Sequence, residues 1–295
     1  MYEKFDGRIV LHQDDVGMCH GANVAFSELS NLGSITSGSV MVPCPWFREA
    51  AEMAVANKKL DLGVHLTLTA EKDFYRWRPL TSASKSSGLV DDEGYMWRDV
   101  SSVRQNANVD AVELELRAQI NFALASGFDV THLDAHMGAT LAPEFCEIYI
   151  HLGVEYQLPV LITRKLSDYG PNNHIENVSD DQFEEFVALA KSQSLPIFDR
   201  VLETDFNRKS VTALDDLAYQ TMFTKNTTGL TFAALHPNAP GEVEVIEPDQ
   251  FHVRTQEYEI FSSKNYLSWL ASDKIKTIGM RELRDAMREE NFSTN

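Results

Sequence analysis

Along the chain, short apolar runs alternate with longer stretches in which apolar side chains recur every three or four positions. The first run, Arg8 to Gly17, climbs out of a polar N-terminus and ends at two adjacent carboxylates, Asp14 and Asp15. Gly21 to Leu32 then sets Val24, Ala25, Leu29 and Leu32 at helical spacing, with Gly33 as a stop. A second strand is expected over 35–42, a helix over 46–57 opened by Pro45, and a third strand over 60–69. Alternation in that strand puts Gly63, His65, Thr67 and Thr69 on one face.

Residues 70–108 interrupt the rhythm with turn signals, yet carry Phe74, Tyr75, Trp77, Tyr95 and Trp97. A segment so rich in rings is expected to be an ordered insertion at the rim of the fold. The pattern resumes with an amphipathic helix over 109–125, closed by Gly127, and a strand over 128–134. Helix 142–152 precedes strand 159–163, helix 180–193 precedes strand 196–201, and helix 212–225 precedes strand 230–235. Helix 250–271, strand 275–278 and a last helix over 281–288 complete the chain. Repeated strand-then-helix units without a composition break predict an α/β fold, with a parallel sheet covered by helices. The simplest closure is one domain over 1–295, a distorted TIM-like β/α barrel of seven to eight parallel strands. A doubly wound open sheet would show the same alternation.

Composition narrows the function classes. The 295 residues carry a formal net charge of −18, which argues against nucleic acid as a partner, because Lys and Arg must neutralise phosphates there. No apolar run is long enough to span a bilayer and no leader pattern opens the chain, so the expected address is the cytoplasm, with no membrane partner. Cys19, Cys44 and Cys146 lack metal-binding spacing and read as buried thiols. A homo-oligomer is allowed but not specified.

In β/α folds the reactive groups gather at the carboxyl ends of the strands. Asp14 and Asp15 end the first strand, His65 lies late in the third, Thr131-His132-Leu133-Asp134-Ala135-His136 closes the fourth, and His236 ends the seventh, before Pro237. Asp15, His65 and His136 form a two-histidine, one-carboxylate set suited to a divalent ion. The adjacent Asp14 is suited to a general base, since neighbouring carboxylates coexist when their roles separate. His132 would lie about 13 Å deeper than His136 along its strand, too far to share the ion. His12, His20, His151, His174 and His252 read as core or surface residues.

Five segments carry a resemblance: Gln13-Asp-Asp-Val-Gly-Met, Gly33-Ser-Ile-Thr-Ser, Leu62-Gly-Val-His-Leu-Thr-Leu-Thr, Thr131-His-Leu-Asp-Ala-His and Leu235-His-Pro. In this order and spacing the chain resembles the YdjC-like carbohydrate deacetylase family. The resemblance implies a distorted barrel of the polysaccharide-deacetylase kind and a divalent ion, Mg2+ or Zn2+, on Asp15, His65 and His136. It implies Asp14 as catalytic base, His236 as the acid that protonates the leaving amine, and Arg164 as the residue holding Asp14 ionised. The implied substrate is an acetylated amino sugar or oligosaccharide, on whose faces the rings of the insertion would stack, unless they form a small satellite core. Family members often continue past the fourth-strand histidine with further histidines, whereas this chain reads Met137, Gly138, Ala139 and Thr140. The alternatives are a metal-dependent hydrolase of another amide or ester, or a catalytically inactive carbohydrate-binding barrel.

Overall fold

The computed structural model describes residues 2–81, 84–170, 174–206, 214–225 and 228–293. Its strands are β1 (Arg8–Val16), β2 (Ser37–Val40), β3 (Leu62–Leu66), β4 (Val130–Ala135), β5 (Arg200–Glu203), β6 (Thr231–Leu235) and β7 (Lys276–Thr277). All pair in parallel, in the order β4-β3-β2-β1-β6-β5, with β7 beside the foot of β1. The expected strand over 159–163 is an extended segment between the two edges rather than a ladder member. It makes single bridges, Leu133 to Val160 and Thr163 to Phe198. Pro159 has no N–H to donate but accepts from Leu133, to which Leu161 donates in return, and the N–H groups of Phe198 and Arg164 link the segment to the chain entering β5. The ring of strands is thus spanned on that side without a continuous ladder.

The helices are α1 (His20–Leu32), α2 (Phe47–Ala56), α3 (Val100–Asn106), α4 (Val109–Ala125), α5 (Cys146–Glu155), α6 (Asp180–Ser192), α7 (Asp216–Thr224), α8 (Val243–Ile246), α9 (Phe251–Ser262), α10 (Lys264–Leu270) and α11 (Met280–Ser293). The periodicity over 250–271 continues through what are two helices. Ser263 leaves the helical region at ψ 145° and caps α10 by accepting the N–H of Tyr266. The expected start of the 212–225 helix lies outside the described residues, and Asp215 caps α7. Among the described residues no helix is long and apolar enough to cross a membrane.

Strands β1 to β4 and β6 are largely buried on both faces, while β5 is only partly buried. Leu11, Val64, Leu66 and Leu133 pack with Phe26, Leu29, Leu116 and Ile120 from α1 and α4 in one apolar cluster. Each such side chain removed from water stabilises the fold by about 1.5–3 kcal/mol. Gly63 is required by a close approach, because a Cβ there would lie 2.5 Å from the His132 ring.

The insertion is tied down through α4. The Glu115 carboxylate is fully buried, accepting the N–H groups of Leu80 (3.0 Å) and Thr81 (2.9 Å), the Thr81 hydroxyl (2.7 Å) and the Gln119 amide (2.8 Å). Trp77 is buried with Met18, Met41, Cys44 and Met96 in a satellite core, against which Tyr75 packs, while Trp97 packs on the main core. Phe74 alone of the five rings is fully exposed, at 99%. Glu115→Ala would leave buried donors unpaired and is expected to lower stability by about 3 kcal/mol. Urea unfolding measures that loss, and limited proteolysis should cut first within 70–108.

Candidate metal centre and active site

In a regular strand, adjacent residues face opposite ways. Asp14 and Asp15 nevertheless both reach one cavity, because the pairing of β1 with β2 slips between Gln13 and Val16 and Asp15 takes a left-handed φ of 59°. The backbone stores strain at the point where the chemistry is placed.

Asp15 is held from one side. Its Oδ2 accepts from Arg254 Nη2 of α9 at 2.8 Å. Its Oδ1 is buried with no hydrogen-bond donor, and faces His65 Nε2 at 3.4 Å and His136 Nδ1 at 3.2 Å. The other nitrogen of each ring is already committed. His65 Nδ1 donates to Asp134 Oδ1 at 2.9 Å, and His136 Nε2 donates to Glu71 Oε2 at 3.0 Å. Each ring therefore aims its second nitrogen at the orphaned oxygen, where a cation displacing the proton would meet a lone pair, the arrangement by which outer carboxylates orient metal-binding histidines. A buried carboxylate oxygen with no hydrogen-bond partner, facing two such ring nitrogens, fits a cation.

The electrostatics agree with that fit. Burial opposes ionisation of Asp15, but Arg254 and the two rings hold its carboxyl well below the usual range. Burial also opposes charge on His65 and His136, yet Asp134 beside the first and Glu71 beside the second lift both above the ordinary imidazole value. The same carboxylates strengthen each ring as a cation ligand. Beyond them, Lys72 contacts both Glu71 and Glu247, and Arg254 grips Glu247 through two hydrogen bonds of 2.7 and 2.8 Å. The insertion and α9 thereby share one buried charge network around the site.

Asp14 is 14% exposed, with Oδ1 at 2.7 Å from His12 Nδ1 and Oδ2 at 3.6 Å from His236 Nε2. His236 follows β6, its main-chain N–H bonded to Glu257 at 2.6 Å and its ring edge-on to Phe206. Burial, only partly offset by Asp14, lowers its pKa to about 4, so the ring is neutral at pH 7. Asp14, Asp15, His65, His136 and His236 line one cavity of about 300 Å³, walled also by Leu141, Leu161, Tyr169 and Phe206.

Arg164 is not brought to Asp14. Its side chain is half-exposed and bonds Asp199 at 2.6 Å, in an open cleft with Tyr2 and Gly229 at the feet of the strands. Arg254 is the guanidinium at the site, and it grips Asp15 rather than Asp14. Arg254→Met would leave Asp15 and Glu247 buried without their counter-charge, with an expected loss of about 3–5 kcal/mol in stability. Thermal or urea unfolding of the purified variant measures it.

Further residues complete the site. His12 has a signal in the sequence, since alternation along β1 sets it on the face of Asp14. Asp134 has one too, at the end of β4. Glu71 and Arg254 have none, because they arrive from the insertion and from a helix far along the chain. His174, read from sequence as a core or surface residue, lines the cavity.

A family model described as YdjC-like protein matches residues 8–272. A carbohydrate deacetylase of Thermus thermophilus is 40% identical over 162 residues, which cover 55% of this chain and 56% of that protein. A chitooligosaccharide deacetylase of Yersinia enterocolitica is 30% identical over 159 residues, 53% of this chain and 59% of that protein. The matches thus span little more than half the length of these relatives. Among solved structures, one described as a cellobiose-phosphate cleavage protein of Enterococcus faecalis superposes with a TM-score of 0.72, covering 94% of this chain and 98% of that one. At 22% identity that likeness concerns the fold. The matched span of the family model runs from β1 through α10 and takes in every side chain placed in the cavity above: this chain belongs to the YdjC-like family.

Proposed function

We propose that the protein hydrolyses the N-acetyl group of an amino sugar or oligosaccharide, with one divalent ion, Mg2+ or Zn2+, on Asp15, His65 and His136. The observation that carries this reading is the orphaned Asp15 Oδ1 between two oriented imidazoles, in the cavity that Asp14 and His236 also line. The names of the relatives support the acetylated-sugar class. When bound, the ion would polarise the acetamide carbonyl and lower the pKa of a coordinated water. Two imidazoles favour zinc, whereas magnesium prefers oxygen ligands.

The chain's own groups then divide the proton work. Asp14, steadied at one oxygen by His12, takes the proton of the attacking water with the other. His236 is neutral in the free protein, so it holds no standing proton to give as an imidazolium. The proton gained by Asp14 lies beside the ring, which can pass it to the departing nitrogen as the C–N bond breaks, releasing acetate and a free amine. The apolar walls limit water around the reacting centre, and a cavity of about 300 Å³ suits one sugar unit, leaving the rest of a longer chain outside. Three buried free thiols support a reducing, cytoplasmic setting.

Acetate release from N-acetylglucosamine and its oligomers, with and without chelator, tests the reading. Chelator-sensitive release is expected. Turnover of simple acetyl esters or non-sugar amides, with none of the sugars, would overturn the substrate class.

A further inference from the structure

Beneath the candidate metal centre lies a second fully buried group, His12, His132 and Asp134, whose ligand atoms also lie within 4.8 Å of one another. It differs from the first in one respect. Among the described residues, no buried atom of these three side chains lacks a hydrogen-bond partner. His12 Nε2 and His132 Nε2 are 2.9 Å apart, a distance that requires one proton between them. A cation would need both lone pairs turned toward it, so the pair is a hydrogen bond and not a ligand set.

The proton inventory then runs in one direction. In the base role proposed above Asp14 offers Oδ1 as an acceptor, so His12 Nδ1, 2.7 Å away, carries a hydrogen and donates. With a single ring proton on His12, its Nε2 is left as an acceptor and His132 Nε2 supplies the proton, while Asp134 Oδ2 stands off at 3.5 Å from His12 Nε2. His132 Nδ1 then accepts from Thr131 Oγ1 at 2.9 Å. Burial keeps His132 neutral, its pKa lowered to about 3, which agrees with one proton on that ring. The rings are built in place: Phe232 packs against His12 with centroids 4.6 Å apart, and only a glycine at 63 leaves room for His132.

We propose that His12 is a positioning residue for the base, locked in its Nδ1–H tautomer by a relay of hydrogen bonds from Thr131 through His132, so that Asp14 meets the cavity with its second oxygen alone. This deepens the deacetylase reading and rests on Asp14 being its base. The relay joins two strands on opposite sides of the fold interior, β1 and β4, and sets the aim of a side chain at the rim from inside.

The first measurement uses the wild-type protein loaded with Zn2+ or Mg2+, both diamagnetic. Nitrogen-15 NMR of the ring nitrogens should report an Nδ1–H tautomer for His12 and an Nε2–H tautomer for His132 at pH 7. Thr131 also meets the Asp61 carboxyl. If the Thr131 proton went there, His132 would carry Nδ1–H, and that result would overturn the relay. Kinetics supply the second arm. His12→Phe should lower kcat about 100-fold with KM and metal content unchanged, the size of loss expected from a misplaced catalytic group. His12→Asn keeps a donor where Nδ1 stood and should recover most of that loss. His132→Phe should slow the wild type yet add nothing to His12→Asn. Equal kcat in wild type and His12→Phe overturns the positioning role. Wild-type protein that turns over no acetylated sugar would instead defeat the deacetylase reading, and leaves the tautomer result standing.

Discussion

Asp14→Asn is expected to lower kcat by about 10²–10⁴-fold, the range for removing a general base, with metal content unchanged. The substitution isolates the role well. An asparagine oxygen can still accept from His12 Nδ1, which lies 2.7 Å from the present carboxylate, so the side chain stays aimed while it loses the ability to take a proton. The Asp15, His65 and His136 set keeps its own contacts, because Asp14 hydrogen-bonds neither ring, and Asp15 is held separately by Arg254. Steady-state kinetics on the best N-acetyl sugar, paired with elemental analysis of the purified variant, provides the check. A kcat within a few-fold of wild type would remove Asp14 from the base role and direct attention to His236.

His65→Ala is expected to abolish both metal binding and turnover. The imidazole is one of the two that face the orphaned Asp15 oxygen, and its loss also strands Asp134, which is buried and held ionised by that ring. Two readouts separate these effects. A ligand at 100 times its Kd stabilises the wild type by about 2.7 kcal/mol, so added metal should raise its melting temperature. The variant should melt lower than wild-type apoprotein, through the unpaired Asp134, and show no rise with metal. Full metal occupancy in the variant would rule out His65 as a ligand, whatever its activity.

The Glu71–Lys72–Glu247–Arg254 network gives these results a wider setting. Glu71 opens the insertion and orients His136, while Arg254 comes from α9 and orients Asp15. Asp15 at the end of β1 and His136 just after β4 are thus each steadied by an element outside the sheet. The insertion enters the site by its first residues rather than by its rings, most of which pack inward with the satellite and main cores.

Which side chains stand at the carboxyl ends of the strands is legible in the residue pattern alone. Alternation with period two and the helical spacing between strands are local properties, so the pattern along the chain places Asp15, His65, His136 and His236 at one rim. The same local rules carried the order of strands and helices, including the interruption after Thr69. His12 shares the Asp14 face by the same alternation, yet reads from the sequence as a core or surface residue, because its role depends on His132 from a strand distant in the chain. Tertiary structure alone decided the rest. The slipped register that turns both Asp14 and Asp15 inward is a departure from alternation, so alternation could not predict it. The single bridges of 159–163, the split at Ser263 and the burial of Trp77 depend on how neighbouring segments compete for hydrogen bonds and space. The choice of Arg254 over Arg164 depends on which guanidinium ends beside a buried carboxylate. Charge pairing between distant elements is set by burial and register across the fold, and leaves no spacing along the chain to read.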